Sequence, residues 1–151
     1  MGELVITSSA FEHEASIPSL YTCDGDDINP PLKIEGIPKQ TESLVIIFDD
    51  PDAPKGTWVH WVVFNIEVTN YIEEDSVPGE QGLNDFKKHN YGGPCPPLGI
   101  HRYFFKVYAL DTTLELNKSA TKEDVEMAME GHVIAMGELI GLYEKMGLYE
   151  K

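Results

Sequence analysis

Leu44-Val45-Ile46-Ile47-Phe48, then Asp49-Asp50-Pro51-Asp52-Ala53-Pro54-Lys55-Gly56, then Thr57-Trp58-Val59-His60-Trp61-Val62-Val63-Phe64-Asn65-Ile66, is the stretch that decides the fold. The two outer runs are short, β-branched and aromatic, which is the composition of strands. Neither alternates with polar residues, so both strands are expected to be covered on both faces. Period two puts Trp58, His60, Val62 and Phe64 on one face of the second strand and Thr57, Val59, Trp61, Val63 and Asn65 on the other. The loop between the strands carries acidic side chains and two prolines. Its Ala53–Pro54 bond is expected to be cis, which costs only about 0.5–1 kcal/mol at an X–Pro bond and suits a tight turn. A stiff carboxylate loop beside an imidazole has the makings of a binding site. The plainer reading is a turn and a core histidine.

The chain has 151 residues and is 42% hydrophobic, which predicts one globular domain over 1–151. Its formal charge of −15 argues against nucleic acid or an anionic membrane surface as a broad partner. It leaves room for one small anion in a local pocket, because charges are screened beyond roughly 8–10 Å at physiological salt. Two cysteines, Cys23 and Cys95, make no disulfide framework; a single bridge between them stays open, and the unbridged state is the favoured reading. The first residues lack a basic segment followed by an apolar core, and no apolar run reaches the ~20 residues of a membrane span. A cytoplasmic protein without a transmembrane segment is expected.

Outward from the central strands, Leu4-Val5-Ile6 reads as a short strand and Leu32-Lys33-Ile34-Glu35 alternates as a strand should. Tyr91-Gly92-Gly93-Pro94-Cys95-Pro96-Pro97-Leu98-Gly99 is a stiff loop whose glycines can turn backbone N–H groups towards a ligand. In the strand Ile100–Leu110, His101, Tyr103, Phe105 and Val107 share one face. Arg102, on the other face, is expected to pair with Asp49 or Asp52. Thr121, with Asp124 three residues on, is a helix cap. Val125, Ala128, Met129, Val133, Met136, Leu139, Ile140 and Tyr143 follow at helical spacing, so two C-terminal helices divided at Gly131 are expected. The closing repeat, Gly141-Leu142-Tyr143-Glu144-Lys145 and Gly147-Leu148-Tyr149-Glu150-Lys151, reads as an extension of the last helix. Strands first and helices last describe a mainly β, α+β domain.

These segments together resemble the phosphatidylethanolamine-binding protein family, which includes the Raf kinase inhibitor proteins, and within it the prokaryotic branch. Asp50-Pro51-Asp52-Ala53-Pro54 looks like its DPDAP motif, and Trp58-Val59-His60-Trp61 like its W-x-H strand. Gly93-Pro94 with Gly99-Ile100-His101-Arg102-Tyr103 looks like its GxHRY motif. Tyr21-Thr22-Cys23-Asp24-Gly25 and Asn29-Pro30-Pro31-Leu32 are similar to the prokaryotic N-terminal segment. The resemblance implies two antiparallel sheets with C-terminal helices. It also implies a small pocket for phosphate-type anions or phospholipid headgroups, formed here by Asp50, Pro54, His60, Gly93, His101 and Tyr103. A homodimer and a kinase or protease partner are further implications, and no cofactor is implied. The long C-terminal segment of the animal proteins is not matched.

The pocket so assembled has no lysine; imidazole N–H groups, the Tyr103 hydroxyl and backbone N–H groups near Gly93 would hold the anion. Asp50 would fix the tautomer of a neighbouring histidine. The same residues admit other chemistries. Asp50, His60 and His101 have the make-up of a two-histidine, one-carboxylate metal site, which would suit a metal-dependent hydrolase. Cys95 with His101 has the make-up of a nucleophile pair. Inhibition of a kinase or protease through surface contact is the alternative from a different class. His13, His89 and His132 read as ordinary structural residues, and Cys23 as a small buried one.

Overall fold

The computed structural model describes residues 1–145. In chain order the elements are β1 (Gly2–Glu3), β2 (Val5–Thr7), a 3-10 turn (Ser19–Tyr21), β3 (Leu32–Glu35), β4 (Ser43–Asp50) and β5 (Trp58–Ile66). Then come β6 (Tyr71–Ile72), β7 (Glu80–Gln81), β8 (Ile100–Leu110), α1 (Lys122–Met129) and β9 (Val133–Glu144). A six-stranded sheet runs β1-β9-β8-β4-β5-β7, and a three-stranded sheet runs β2-β3-β6. All pairings are antiparallel except that of β1 with β9. The fold is mostly β, with two sheets and one α-helix among the described residues.

The unbroken apolar run of β4 has its reason in this order. β4 lies between β5 and β8, and every residue from Ser43 to Asp50 is buried. Leu44, Ile46 and Phe48 join the core shared with the small sheet, which also takes Ile6, Ile34 and Ile72. Val45 and Ile47 join a second core under α1, with Leu114, Val125 and Met129. The sheet is thus covered on both faces, as its composition requires.

The tail departs from the expected helices. Thr121 caps α1 with a full capping box, but the helix ends at Met129 and Gly131 turns at φ +79°. The second expected helix is instead β9, paired along β8 from Ile100↔Glu144 to Leu110↔Val133. Ala135, Leu139 and Tyr143 are buried in the core, which is period four and therefore also period two. Gly137 and Gly141 fall on the same face. A Cβ at Gly137 would lie 2.1 Å from the Leu4 carbonyl oxygen, and one at Gly141 would lie 2.4 Å from Ile17. Each glycine costs a helix about 1 kcal/mol, whereas in this strand each admits a crossing segment. The second copy of the terminal repeat lies outside the described residues.

Two further expectations are corrected. The described residues hold no cis peptide, so Ala53–Pro54 is trans. Cys23 and Cys95 are joined in a disulfide, with Cα atoms 5.5 Å apart across a sequence separation of 72. Both cysteines are exposed, so Cys23 is not a buried filler and Cys95 is no free nucleophile for His101. Such bridges persist in oxidising compartments and inside hyperthermophiles, so cysteine usage gives no support to a reducing cytoplasm. No helix of the described residues is long and apolar enough to cross a membrane.

Candidate functional site

The C-terminal end of β4 places Asp49 and Asp50 on opposite faces of the large sheet, because successive strand side chains alternate. Asp50 faces the start of β8. Its Oδ2 lies 2.7 Å from His101 Nδ1, and both side chains are almost wholly buried. A carboxylate only accepts, so Nδ1 carries the proton and Nε2 is the nitrogen left for a ligand. The other oxygen, Oδ1, accepts the Asp52 N–H at 2.8 Å and so shapes the loop. Asp52 then takes Arg102, through Nε at 2.9 Å and Nη2 at 2.8 Å, and also the Arg102 backbone N–H at 3.0 Å. This guanidinium holds the Asp52 carboxyl down at about pKa 2. Alternate acids of one loop therefore grip adjacent residues of β8, His101 and Arg102. The expected Arg102 ion pair is to Asp52, not Asp49.

His60 reaches the same spot by a route that simple alternation misses. Phe48 pairs with Trp61 but Asp49 pairs with Val59, so β5 carries a bulge at His60. The bulge resets the alternation. Trp61 and Val63 join the core shared with the small sheet, while Val59, Val62 and Phe64 join the core under α1. His60 packs on the former side, its ring 5.4 Å from both Phe48 and Tyr103. Its Nδ1 meets the Gly92 carbonyl oxygen at 2.7 Å. A carbonyl accepts, so Nδ1 carries the proton here too and Nε2 presents a lone pair when the ring is neutral. Burial lowers the His60 pKa below its ordinary 6.5, against the opposing pull of the Gly92 carbonyl and of Asp50.

That shift has a consequence for stability. A histidine whose folded pKa is depressed binds fewer protons folded than unfolded, so its contribution is intact above pH 6.5 and is lost as pH falls below it. Stability should decline below that point with a slope of up to ~1.4 kcal/mol per pH unit. In urea unfolding at pH 7 and pH 5.5, His60→Gln should show the shallower loss. Equal losses in the two proteins would remove His60 as the cause.

His101, His60 and Tyr103 line a cavity of about 260 Å³ with Asp50, Ala53, Pro54, Trp58, Phe86, Cys95, Pro96 and Pro97. Tyr103 is wholly buried, and its hydroxyl has no hydrogen-bond partner. The Asp50 carboxylate and the Cys95 backbone lie near enough to perturb it without hydrogen-bonding geometry, and burial first, then Asp50, raises its pKa. Asp50 is a buried part of the wall.

Of the six residues the motifs single out, all but Gly93 line this cavity. The Gly93 N–H is already given to Asp27 Oδ1 at 2.8 Å. Glycine is needed there for space, since a Cβ would lie 2.3 Å from the Tyr21 carbonyl oxygen. Trp58 and Phe86 were missed as wall residues. Trp58 had a signal, sharing the His60 face, whereas Phe86 stands alone in a polar segment. Among the described residues no group of three or more His, Cys, Asp or Glu side chains is arranged to hold a metal ion.

The motifs and the fold can be set beside known proteins. A sequence model described as phosphatidylethanolamine-binding protein matches residues 7–144. The chain belongs to that family. A UPF0098 protein of Pyrococcus abyssi is 54% identical over 149 residues, covering 91% of this chain and 83% of that protein. A UPF0098 protein of Methanothermobacter thermautotrophicus is 50% identical over 142 residues, covering 89% of this chain and 94% of its own length. Among solved structures, a putative phosphatidylethanolamine-binding protein homologue from Chlamydia trachomatis superposes with a TM-score of 0.92 at 41% identity. The match covers 97% of this chain and 100% of that one. E. coli YbcL, described as a member of the mammalian family, gives 0.88 at 29% identity, over 96% of this chain and 100% of its own. The prokaryotic phosphatidylethanolamine-binding proteins are thus the chain's relatives in both sequence and fold.

Proposed function

We propose that this protein is a non-catalytic binding protein whose cavity takes a phosphate-type anion or a phosphorylated headgroup. The observation that carries the reading is that His60, His101 and Tyr103 line one cavity, with the Tyr103 hydroxyl left without a hydrogen-bond partner. A buried donor left unsatisfied costs about 1–3 kcal/mol, and an anionic oxygen in the cavity recovers that cost. His101 supports the reading from the same strand face. Asp50 holds its Nδ1, so when the ring is protonated Nε2 becomes a charge-assisted donor to the ligand, and the carboxylate charge is balanced within the pair. His60 Nε2, a lone pair when neutral, accepts from a ligand that keeps one acidic proton, such as hydrogen phosphate.

The test compares stability with binding. Without ligand, Tyr103→Phe should be neutral or more stable than wild type by up to about 1 kcal/mol, since it removes an unsatisfied group. The same variant should bind phosphoethanolamine more weakly, and His101→Ala should weaken binding by roughly 1.5–3 kcal/mol, the worth of a hydrogen bond to a charged group. Titration calorimetry and urea unfolding on the same preparations read both quantities. Undiminished affinity in both variants would place the ligand elsewhere.

A further inference from the structure

A second groove of about 360 Å³ adjoins the cavity and shares Phe86 and Cys95 with it. Its other lining residues are Cys23, Asp27, Lys88, Asn90, Tyr91, Gly92 and Gly93. Phe86 and the exposed disulfide therefore form a low wall between two compartments of different chemistry. The cavity offers an unsatisfied hydroxyl and imidazole nitrogens. The groove offers one cation and one carboxylate, and the two are not joined to each other within 4.0 Å.

Lys88 is exposed and has no ion-pair partner among the described residues, as is also true of Lys39, Lys55, Lys87, Lys118 and Lys145; what distinguishes it is its place in the groove wall. Lys88 lies in the segment whose turn Asn84 builds, its side-chain oxygen accepting the Phe86 and Lys88 N–H groups at 2.9 and 3.0 Å. The Asn84 amide in turn donates to the carbonyls of His60 and Asn90. The backbone from which Lys88 projects is thus tied directly to the strand residue that lines the cavity. On the other side of the groove, Asp27 Oδ1 accepts the Gly93 N–H, which leaves Oδ2 for a cation.

Resting on the anion-binding reading of the cavity, we infer that the ligand is a phosphorylated α-amino acid in chemistry, an O-phosphoserine-type group that spans both compartments. The phosphate occupies the cavity. The carboxylate, which phosphoethanolamine lacks, pairs with Lys88. The ammonium lies between Asp27 Oδ2 and the aromatic faces of Phe86 and Tyr91, which attract a cation. An anion at one end and a zwitterion at the other match the two sets of groups in sign. The same chemistry exists as a soluble phosphoamino acid and as the headgroup of phosphatidylserine.

Titration calorimetry on the full chain with inorganic phosphate, O-phosphoethanolamine and O-phosphoserine decides the matter. O-phosphoserine should bind about tenfold more tightly than O-phosphoethanolamine, the increment of one further charge-assisted hydrogen bond. Lys88→Met should abolish that preference and leave inorganic phosphate unchanged. Asp27→Asn keeps an acceptor for the Gly93 N–H and should reduce the advantage of O-phosphoethanolamine over inorganic phosphate. Equal affinity for the two organic ligands in wild type, or a preference that survives Lys88→Met, overturns the inference while phosphate binding still stands. Failure of inorganic phosphate, O-phosphoethanolamine and O-phosphoserine alike to bind overturns both readings. Lys88-dependent co-sedimentation with phosphatidylcholine vesicles carrying phosphatidylserine assigns the lipid as the source. Binding of the free compound without vesicle retention assigns the soluble one.

Discussion

Replacing both cysteines, Cys23→Ser with Cys95→Ser, should lower the free energy of unfolding by about 4 kcal/mol on the chain-entropy account of a cross-link. The bridge closes a sequence separation of 72, which is long enough for a large entropic term. The native state should change little, because other ties hold the same segments. Cys23 N–H donates to the Pro94 carbonyl at 3.2 Å, and the Tyr91 hydroxyl donates to the Tyr21 carbonyl at 2.8 Å. Gly93 N–H to Asp27 adds a third tie. The loss should therefore arise in the unfolded chain, which is released from its closed loop and exposes more surface. A rise in the urea m-value should accompany it, since m follows the surface exposed on unfolding. In a chain of this size a loss of that order lowers Tm by on the order of 10 °C. Urea curves of wild type, oxidised and reduced, against the double variant measure both quantities. A change below about 1 kcal/mol would mean that the denatured state is held compact by something else.

This bridge also marks where sequence reasoning reached its limit. A single cysteine pair has no spacing rule, and only the packing of the 21–27 segment against the 91–97 loop brings Cys23 to Cys95. The central strands were legible because β4 and β5 are buried on both faces and their composition says so. His101 and Tyr103 were legible as neighbours because β8 is regular, and their rings lie 6.3 Å apart. His60 reaches the cavity as its motif implied, but with other face-mates than its periodicity gave, since the bulge beside it exchanges the faces of the residues from Trp61 to Phe64 until a second register shift before Ile66. The tail misled for a related reason. Ala135, Leu139 and Tyr143 satisfy a helical face and a strand face alike, and only the closeness of Leu4 and Ile17 explains Gly137 and Gly141. Gly93 was singled out as a ligand-binding residue, but it does not line the cavity; what requires glycine there is the Tyr21 carbonyl above it, a contact that no local pattern carries.

The second large effect is expected on the face of the sheet away from the cavity. Asp49 is 1% exposed, and its Oδ2 receives Lys122 Nζ at 2.8 Å and Lys106 Nζ at 3.2 Å. Its Oδ1 is buried without a partner. Lys122 opens α1, so this carboxylate pins the helix to β4 and β8. Asp49→Ala leaves two ammonium groups near a cavity in the core without a counter-charge, and breaking a buried pair in this way costs about 3–5 kcal/mol. The lower end is expected here, because the Lys106 and Lys122 side chains keep 25% and 15% of their surface in water and can swing towards it. The unmet Oδ1 also means that the native pair does not recover all of its desolvation cost. Replacing the whole set, Asp49→Leu with Lys106→Met and Lys122→Met, should therefore restore most of the stability lost by Asp49→Ala. Urea unfolding of the single and triple variants tests this. A triple variant no more stable than Asp49→Ala would show that the ion pairs themselves, and not the charges left behind, hold the helix to the sheet. Asp50 lies on the opposite face and keeps its own partners, so phosphate affinity should be close to wild type in the triple variant, which separates the anchor of the fold from the chemistry of the cavity.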